Sequence, residues 1–140
     1  MSRRARAALA LAALAAGCGG GGQSSEDAAR ATVQRYLTAL GRGDAAAACR
    51  ELTRRSQNAL ADAAVSKLRL KTRSCEAAID RALHAPNGPQ LRRLGRAKIT
   101  RVAVDGDRAE VSVAGVAGRT SLVRADGDWR IESEPSGESN

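Results

Sequence analysis

The chain has 140 residues, a formal net charge of +8, one His, three Cys and no Phe, and its only aromatic residues are one Tyr and one Trp. This length suits a single domain, and so few His and Cys residues nearly exclude a metal cage made of those side chains. The charge suggests a nucleic-acid binder, but single-strand binders interleave their cations with stacking aromatic residues, which are scarce here. We therefore predict no nucleic-acid partner and no cofactor.

The first residues have the order of a secretory signal. Three arginines among the first six residues precede an unbroken run of Ala and Leu over residues 7–16, and Gly17 and Cys18 follow. As a helix this run would span about 15 Å, half of the hydrocarbon core of a bilayer, so we expect no permanent transmembrane helix. We predict a signal peptide over residues 1–17, with an alanine-rich cytosolic helix as the alternative.

The segment over residues 14–18, Leu-Ala-Ala-Gly-Cys, resembles the lipobox of bacterial lipoprotein signals. In that family the Cys becomes the first mature residue and its thiol carries a diacylglycerol. The resemblance implies that Cys18 is lipidated and anchors the exported chain in the lipid bilayer, at the outer face of the bacterial cytoplasmic membrane. Residues 13–15 also offer an ordinary A-x-A cleavage site, which would release a secreted protein instead. Residues 18–26 are then the lipidated Cys and a flexible Gly- and Ser-rich tether with a reach of roughly 15 Å.

Apolar periodicity predicts helices through the first half of the domain that follows. The predicted ranges are 28–40, 45–52, 54–65, 75–84 and 89–94. Side chains able to cap the first four stand just before them: Ser24 or Ser25, then Asp44, Thr53 and Ser74. The glycines at 41 and 43 are expected to end the first helix.

Charged and apolar residues alternate over residues 67–73. The period of two favours a strand with Leu68 and Leu70 facing inward. A frayed end of the preceding helix is the alternative. As a strand, the segment would present a basic face made of Lys67, Arg69, Lys71 and Arg73.

From residue 98 the pattern changes to that of β-strands. We predict strands over 98–104, 108–114, 119–124 and 129–132, joined by two Asp-Gly-Asp turns and one looser turn over 115–118. Strands joined by short turns are antiparallel neighbours. The predicted fold class is α+β: N-terminal helices pack on a curved antiparallel β-meander of about four strands. The domain is expected to span residues 27–134, followed by a disordered tail over 135–140.

Two cysteines, Cys49 and Cys75, lie on the apolar stripes of predicted helices. If Cys18 is lipidated and the chain is exported, these two can form a disulfide in the oxidising compartment. The alternative is a pair of buried free thiols that act as small hydrophobic side chains. A catalytic Cys is not expected, because His84 is the only imidazole that could activate one.

The pattern of the domain resembles the nuclear-transport-factor-2-like superfamily. The residues that carry the resemblance are the helix and Gly-Asp turn over 33–44 and the final strand over 126–131, Asp-Gly-Asp-Trp-Arg-Ile. The chain is also similar to small actinobacterial lipoproteins of this fold, which place one Cys in the second helix and another in the third. One departure is that residues 67–73 are the only candidate for the hairpin between the helices.

Members of this superfamily enclose an apolar pocket between sheet and helices. Its enzymes, such as ketosteroid isomerase, dehydratases and polyketide cyclases, use Asp, His and Tyr residues of that pocket. Tyr36, Leu40 and Trp129 are the candidate pocket or core residues in this chain, and we expect them to be core. His84 is expected to be a helix cap, and the Asp residues of the turns have local roles, so no catalytic residue is assigned.

Removing the predicted signal peptide, which holds three of the 23 cations and no acid, lowers the net charge to +5. Cations near an anionic bilayer are attracted to it, so the basic face is expected to meet anionic lipid or wall polymer; solvated arginines are the alternative. The predicted function is a non-catalytic, membrane-anchored envelope lipoprotein whose domain binds a small ligand or a partner. A small-pocket enzyme of the isomerase, dehydratase or cyclase type is the alternative.

Overall fold

Helices form the first part of the domain and an antiparallel sheet forms the second. The computed structural model describes residues 24–132; the predicted signal peptide, Cys18, most of the tether and the tail lie outside this range. The elements are α1 (Ser25–Arg42), α2 (Ala45–Arg50), α3 (Arg54–Ser66), α4 (Cys75–Leu83), α5 (Gly88–Arg93), a short 3-10 helix (Leu94–Arg96), β1 (Ile99–Asp105), β2 (Arg108–Val113), β3 (Thr120–Ala125) and β4 (Asp128–Ile131). The predicted α+β class is confirmed.

The predicted caps start four of the helices. The side chains of Ser24, Asp44, Thr53 and Ser74 accept hydrogen bonds from the backbone N–H groups three residues ahead, at 2.9–3.1 Å. Such bonds satisfy N–H groups that the helix itself cannot. Because Ser24 is the cap, α1 begins at Ser25 and takes in two residues of the predicted tether, Ser25 and Glu26. Gly43 ends α1 with a φ of 71°, a conformation that favours glycine.

The prediction of a strand over residues 67–73 is wrong. The N–H groups of Lys67 and Leu68 both donate to the Ala63 carbonyl, and that of Leu70 donates to the Ala64 carbonyl at 2.9 Å. Arg69 has a φ of 57°. These bonds wrap the chain around the end of α3, so the segment is a turn. Leu70 is half-buried there, but Leu68 is exposed.

The four strands form a meander in the order β1-β2-β3-β4. The register pairs Ala109 with Leu122 and Leu122 with Ile131, which puts these buried side chains on one face. The segment between α2 and α3 then covers part of the edge of β4. Thr53 N–H donates to the Ile131 carbonyl at 2.9 Å, and Ile131 N–H donates to the Glu51 carbonyl at 2.8 Å.

Helix α1 lies at the centre of the domain, in contact with α2, α5, the 3-10 helix and the sheet. Its buried side chains Val33, Leu37 and Leu40 belong to the same core as the inner face of the sheet. Two glycines permit the close approach of the 3-10 helix. A Cβ added to Gly95 would lie 2.7 Å from the Cα of Gly41. This contact fixes where the C-terminal end of α1 lies relative to α5.

Candidate functional site

The predicted pocket or core residues are part of the packed interior. Leu40 is 5% exposed and Trp129 3% exposed, and both belong to the hydrophobic core. Tyr36 is half-buried and packs against the same core. Burial raises the pKa of the Tyr36 hydroxyl, because the phenolate would lose its hydration. These residues therefore support the fold.

A small cleft of about 170 Å³ lies between the start of α1 and the β3–β4 turn. The guanidinium of Arg124 stacks on the Trp129 ring, 4.7 Å from its centre, and donates to the Ser25 hydroxyl at 3.1 Å. The Thr32 hydroxyl donates to the Ala28 carbonyl at 3.2 Å. The indole N–H of Trp129 is buried without a hydrogen-bond partner in the described part of the chain. Since that N–H is sealed from solvent, the cleft cannot offer it to a ligand.

A larger groove of about 430 Å³ runs between α1 and α2. Four residues spaced three or four apart on α1 form one wall: Ala31, Arg35, Thr38 and Arg42. The other wall is formed by Ala47 and Arg50 of α2 and by Glu51, which follows this helix. This volume falls in the range of small-molecule sites.

The charges of the groove are not balanced. The Arg35 guanidinium donates two hydrogen bonds to the Glu51 carboxylate, at 2.9 and 3.0 Å, and this hydrogen bonding raises the pKa of Arg35. Asp44 caps α2 by accepting from Ala47 N–H at 2.9 Å. Both acids of the groove accept hydrogen bonds, and its lining holds three arginines against these two acids. Arg42 and Arg50 are exposed and take part in no ion pair with residues 24–132.

More cations lie next to the Arg42 end of this groove. A Cβ on Gly41 would lie 3.4 Å from the Arg92 carbonyl oxygen, so the α5 backbone closely approaches the end of α1. Arg92, Arg93 and Arg96 are exposed in this region. The sequence has no acidic residue between Asp80 and Asp105. These exposed arginines do not line the groove.

The structure contains the predicted disulfide between Cys49 of α2 and Cys75 of α4, with Cα atoms 6.2 Å apart. Both residues are buried. The predicted helix cap is also found: His84 follows α4, and its Nδ1 lies 2.8 Å from the Asp80 carbonyl oxygen. Neither feature forms part of the groove.

The four cations of the predicted basic face are exposed, but on a turn and not on a strand. Arg73 is paired with Asp62 of α3. Lys67, Arg69 and Lys71 take part in no ion pair within the described residues. The segment therefore keeps three uncompensated charges.

Sequence reasoning missed the groove. The sequence feature that could have indicated it is a second stripe on α1, since positions 31, 35, 38 and 42 share one helical face beside the apolar stripe.

No family model, curated protein or solved structure matches the chain. Over residues 24–132, no helix is long and apolar enough to cross a membrane. In the same range, no group of three or more His, Cys, Asp or Glu side chains is placed to hold a metal ion.

Proposed function

We propose that the chain is an exported, lipid-anchored domain of the bacterial cell envelope that binds an amphiphilic anion without catalysing a reaction. The observation that carries the binding function is the α1–α2 groove, whose lining holds three arginines against two acids and where Arg42 and Arg50 form no ion pair with the described residues. We also propose that the domain belongs to the nuclear-transport-factor-2-like superfamily. The helices followed by an antiparallel meander support that placement.

The cysteines support export. The buried bridge between Cys49 and Cys75 is of the kind that persists in oxidising compartments. It uses two of the three cysteines in the sequence and leaves Cys18, which stands after a charged segment and a short apolar run. This division gives each Cys a role that suits a lipoprotein outside the cytoplasm.

The groove suits a ligand with an anionic head and an apolar body. Guanidinium groups form strong, charge-assisted hydrogen bonds with carboxylate and phosphate oxygens. Beside them, the alanines at 31, 39 and 47 provide a shallow apolar surface that carries no competing hydrogen-bond group on its side chains. The anionic head of the ligand would bind these two unpaired arginines, Arg42 and Arg50, and its apolar body would lie along the alanines.

The enzymatic alternative draws less support from the same residues. General acid–base catalysis requires a titratable group that reaches the substrate. The inner face of the sheet is occupied by buried side chains such as Val111, Leu122 and Trp129. Asp107 and Asp128 lie in or beside the turns and pair with Arg124 and Arg130. A binding function needs only the groove.

Lipid anchoring is tested by replacing Cys18 with Ser. We expect the parent chain to sediment with membranes and to incorporate a labelled fatty acid, because the thiol is the acylated group. The Cys18→Ser chain should lose the label, and high salt should release it, but not the parent, from the membrane fraction. A parent chain that carries no label, or whose mature N-terminus is Met1, would contradict the proposal.

Ligand binding is tested with dodecanoate, dodecanol and acetate as probes on the Cys18→Ser chain. We expect dodecanoate to bind more tightly than either, because only dodecanoate combines the charge with the tail. Arg42→Gln and Arg50→Gln should each weaken binding of dodecanoate about tenfold, the loss of a hydrogen bond to a charged group. Calorimetric titration measures these affinities.

Two variants control for charge and volume. Arg101→Gln removes an exposed cation from β1, outside the groove, and should leave the affinity unchanged. Ala31→Leu should narrow the groove and weaken binding, whereas Ala59→Leu, at an exposed position of α3, should not. Equal affinity for dodecanoate and dodecanol, or no effect of either groove arginine, would refute this ligand class.

A further inference from the structure

The turn between α3 and α4 combines exposed apolar side chains with uncompensated cations. Val65, at the end of α3, is 42% exposed, and Leu68 is 38% exposed. Val116 is the only other large hydrophobic side chain of the described residues that is exposed. Three cations lie beside this apolar pair in the sequence: Lys67 lies between Val65 and Leu68, and Arg69 and Lys71 follow Leu68. Single exposed apolar residues need no explanation, but two within four residues, flanked by three cations, form a patch.

The turn is held in one conformation from both sides. The carbonyls of Ala63 and Ala64 accept hydrogen bonds from the N–H groups of Lys67, Leu68 and Leu70. Arg73 is paired with Asp62 across the turn, and Cys75, two residues further on, is fixed by the disulfide. These bonds hold the backbone of the turn, so a partner would not have to meet the entropic cost of ordering that backbone.

We propose that this turn is a second membrane contact, in which Val65 and Leu68 enter the headgroup region of an anionic bilayer and the three cations bind lipid phosphates. A lipid anchor would place the domain beside such a surface, but the contact itself does not depend on acylation. Cations near an anionic leaflet are attracted to it, each contributing about fivefold in partitioning. Anionic wall polymer would attract the same cations, but it offers nothing apolar to Val65 and Leu68, and this favours the bilayer.

The test is sedimentation with vesicles of the Cys18→Ser chain without the predicted signal peptide, residues 1–17, whose arginines and apolar run would bind lipid on their own. One set contains phosphatidylcholine alone, and the other contains phosphatidylcholine with phosphatidylglycerol as about one third of the lipid. We expect binding to the anionic vesicles that weakens with added salt. Replacing Lys67, Arg69 and Lys71 together with Gln should lower the affinity for them about a hundredfold. Replacing Val65 and Leu68 together with Ser should lower it about tenfold.

The matched control replaces Lys98, Arg101 and Arg108 with Gln, which removes the same charge from exposed positions that line neither the turn nor the groove. It should keep the affinity within about threefold of the parent, and circular dichroism should show all variants folded. An equal loss in this control would mean that net charge alone drives binding, which overturns the proposal. The proposal would also be overturned if soluble polyphosphate competed with the vesicles for the chain and the Val65 and Leu68 changes had no effect on the affinity. Because no acyl chain is present, failure here is distinct from failure of the lipid-anchor experiment.

Discussion

Tyr36 allows a test of the core by a single ionisation. It is the only Tyr in the sequence, and burial raises its pKa above the ordinary value of 10.0. A raised pKa means that the folded state favours the neutral hydroxyl. The neutral hydroxyl therefore contributes to the stability of the folded chain. This contribution is fully present below about pH 10, the pKa of an unfolded Tyr, and is lost as the pH rises through the folded-state pKa.

We therefore expect the phenolate absorbance to appear at a higher pH in the folded chain than in the chain unfolded in urea. The free energy of unfolding should fall more steeply with pH in the parent than in Tyr36→Phe, over the window that begins near pH 10. The comparison between the two chains removes the contribution of the lysines. Coincident titration of the folded and unfolded chains would contradict the burial of this hydroxyl.

At the scale of single residues, the sequence was most informative where the chemistry is local. A Ser, Asp or Thr just before a helix needs only its own backbone neighbours, so the caps at Asp44, Thr53 and Ser74 could be predicted and that of α1 narrowed to Ser24 or Ser25. The hydrogen bonds between Arg35 and Glu51 join residues 16 positions apart on different helices. Such a pair depends on how α1 and α2 pack, and no sequence period reports it.

At the scale of elements, one pattern was satisfied by two structures. Alternation over residues 67–73 is what a half-buried strand requires, yet the same residues form a turn bonded to the end of α3. The difference lies in the available partners. A strand must pair with a neighbouring strand. The sheet consists of β1, β2, β3 and β4, each paired with the next one in the sequence, and residues 67–73 are not part of it. The four real strands were predicted correctly because their turns bring each one beside the next.

The groove and the turn are both consequences of packing between elements. The sequence shows the stripe of Ala31, Thr38 and Arg42 on α1, but only the position of α2 turns that stripe into one wall of a groove. In the same way, the cations at 67, 69 and 71 were visible in the sequence. The exposure of Val65 and Leu68 was not, because it depends on where α4 leaves them uncovered.

At the scale of the whole molecule, the disulfide links two parts of the helical layer. It joins α2, which packs on α1, to α4, which packs on α2, α3 and α5. The bridged residues are 26 positions apart, and closing a loop of this length in the unfolded chain is worth about 3.5 kcal/mol in the chain-entropy model. Domains of this size are stable by only about 5–15 kcal/mol, so the bridge is a large share of the total.

We expect the Cys49→Ala/Cys75→Ala chain to be less stable by about this amount in urea unfolding. The transition can be followed by the fluorescence of Trp129, the only Trp in the sequence, which is buried in the core. A reductant should destabilise the parent by a similar amount and leave the double variant unchanged, which separates the loss of the bond from the loss of the sulfur atoms. A parent chain whose unfolding midpoint ignores the reductant, and whose denatured form has two reactive thiols at these positions, would show that the bridge does not form.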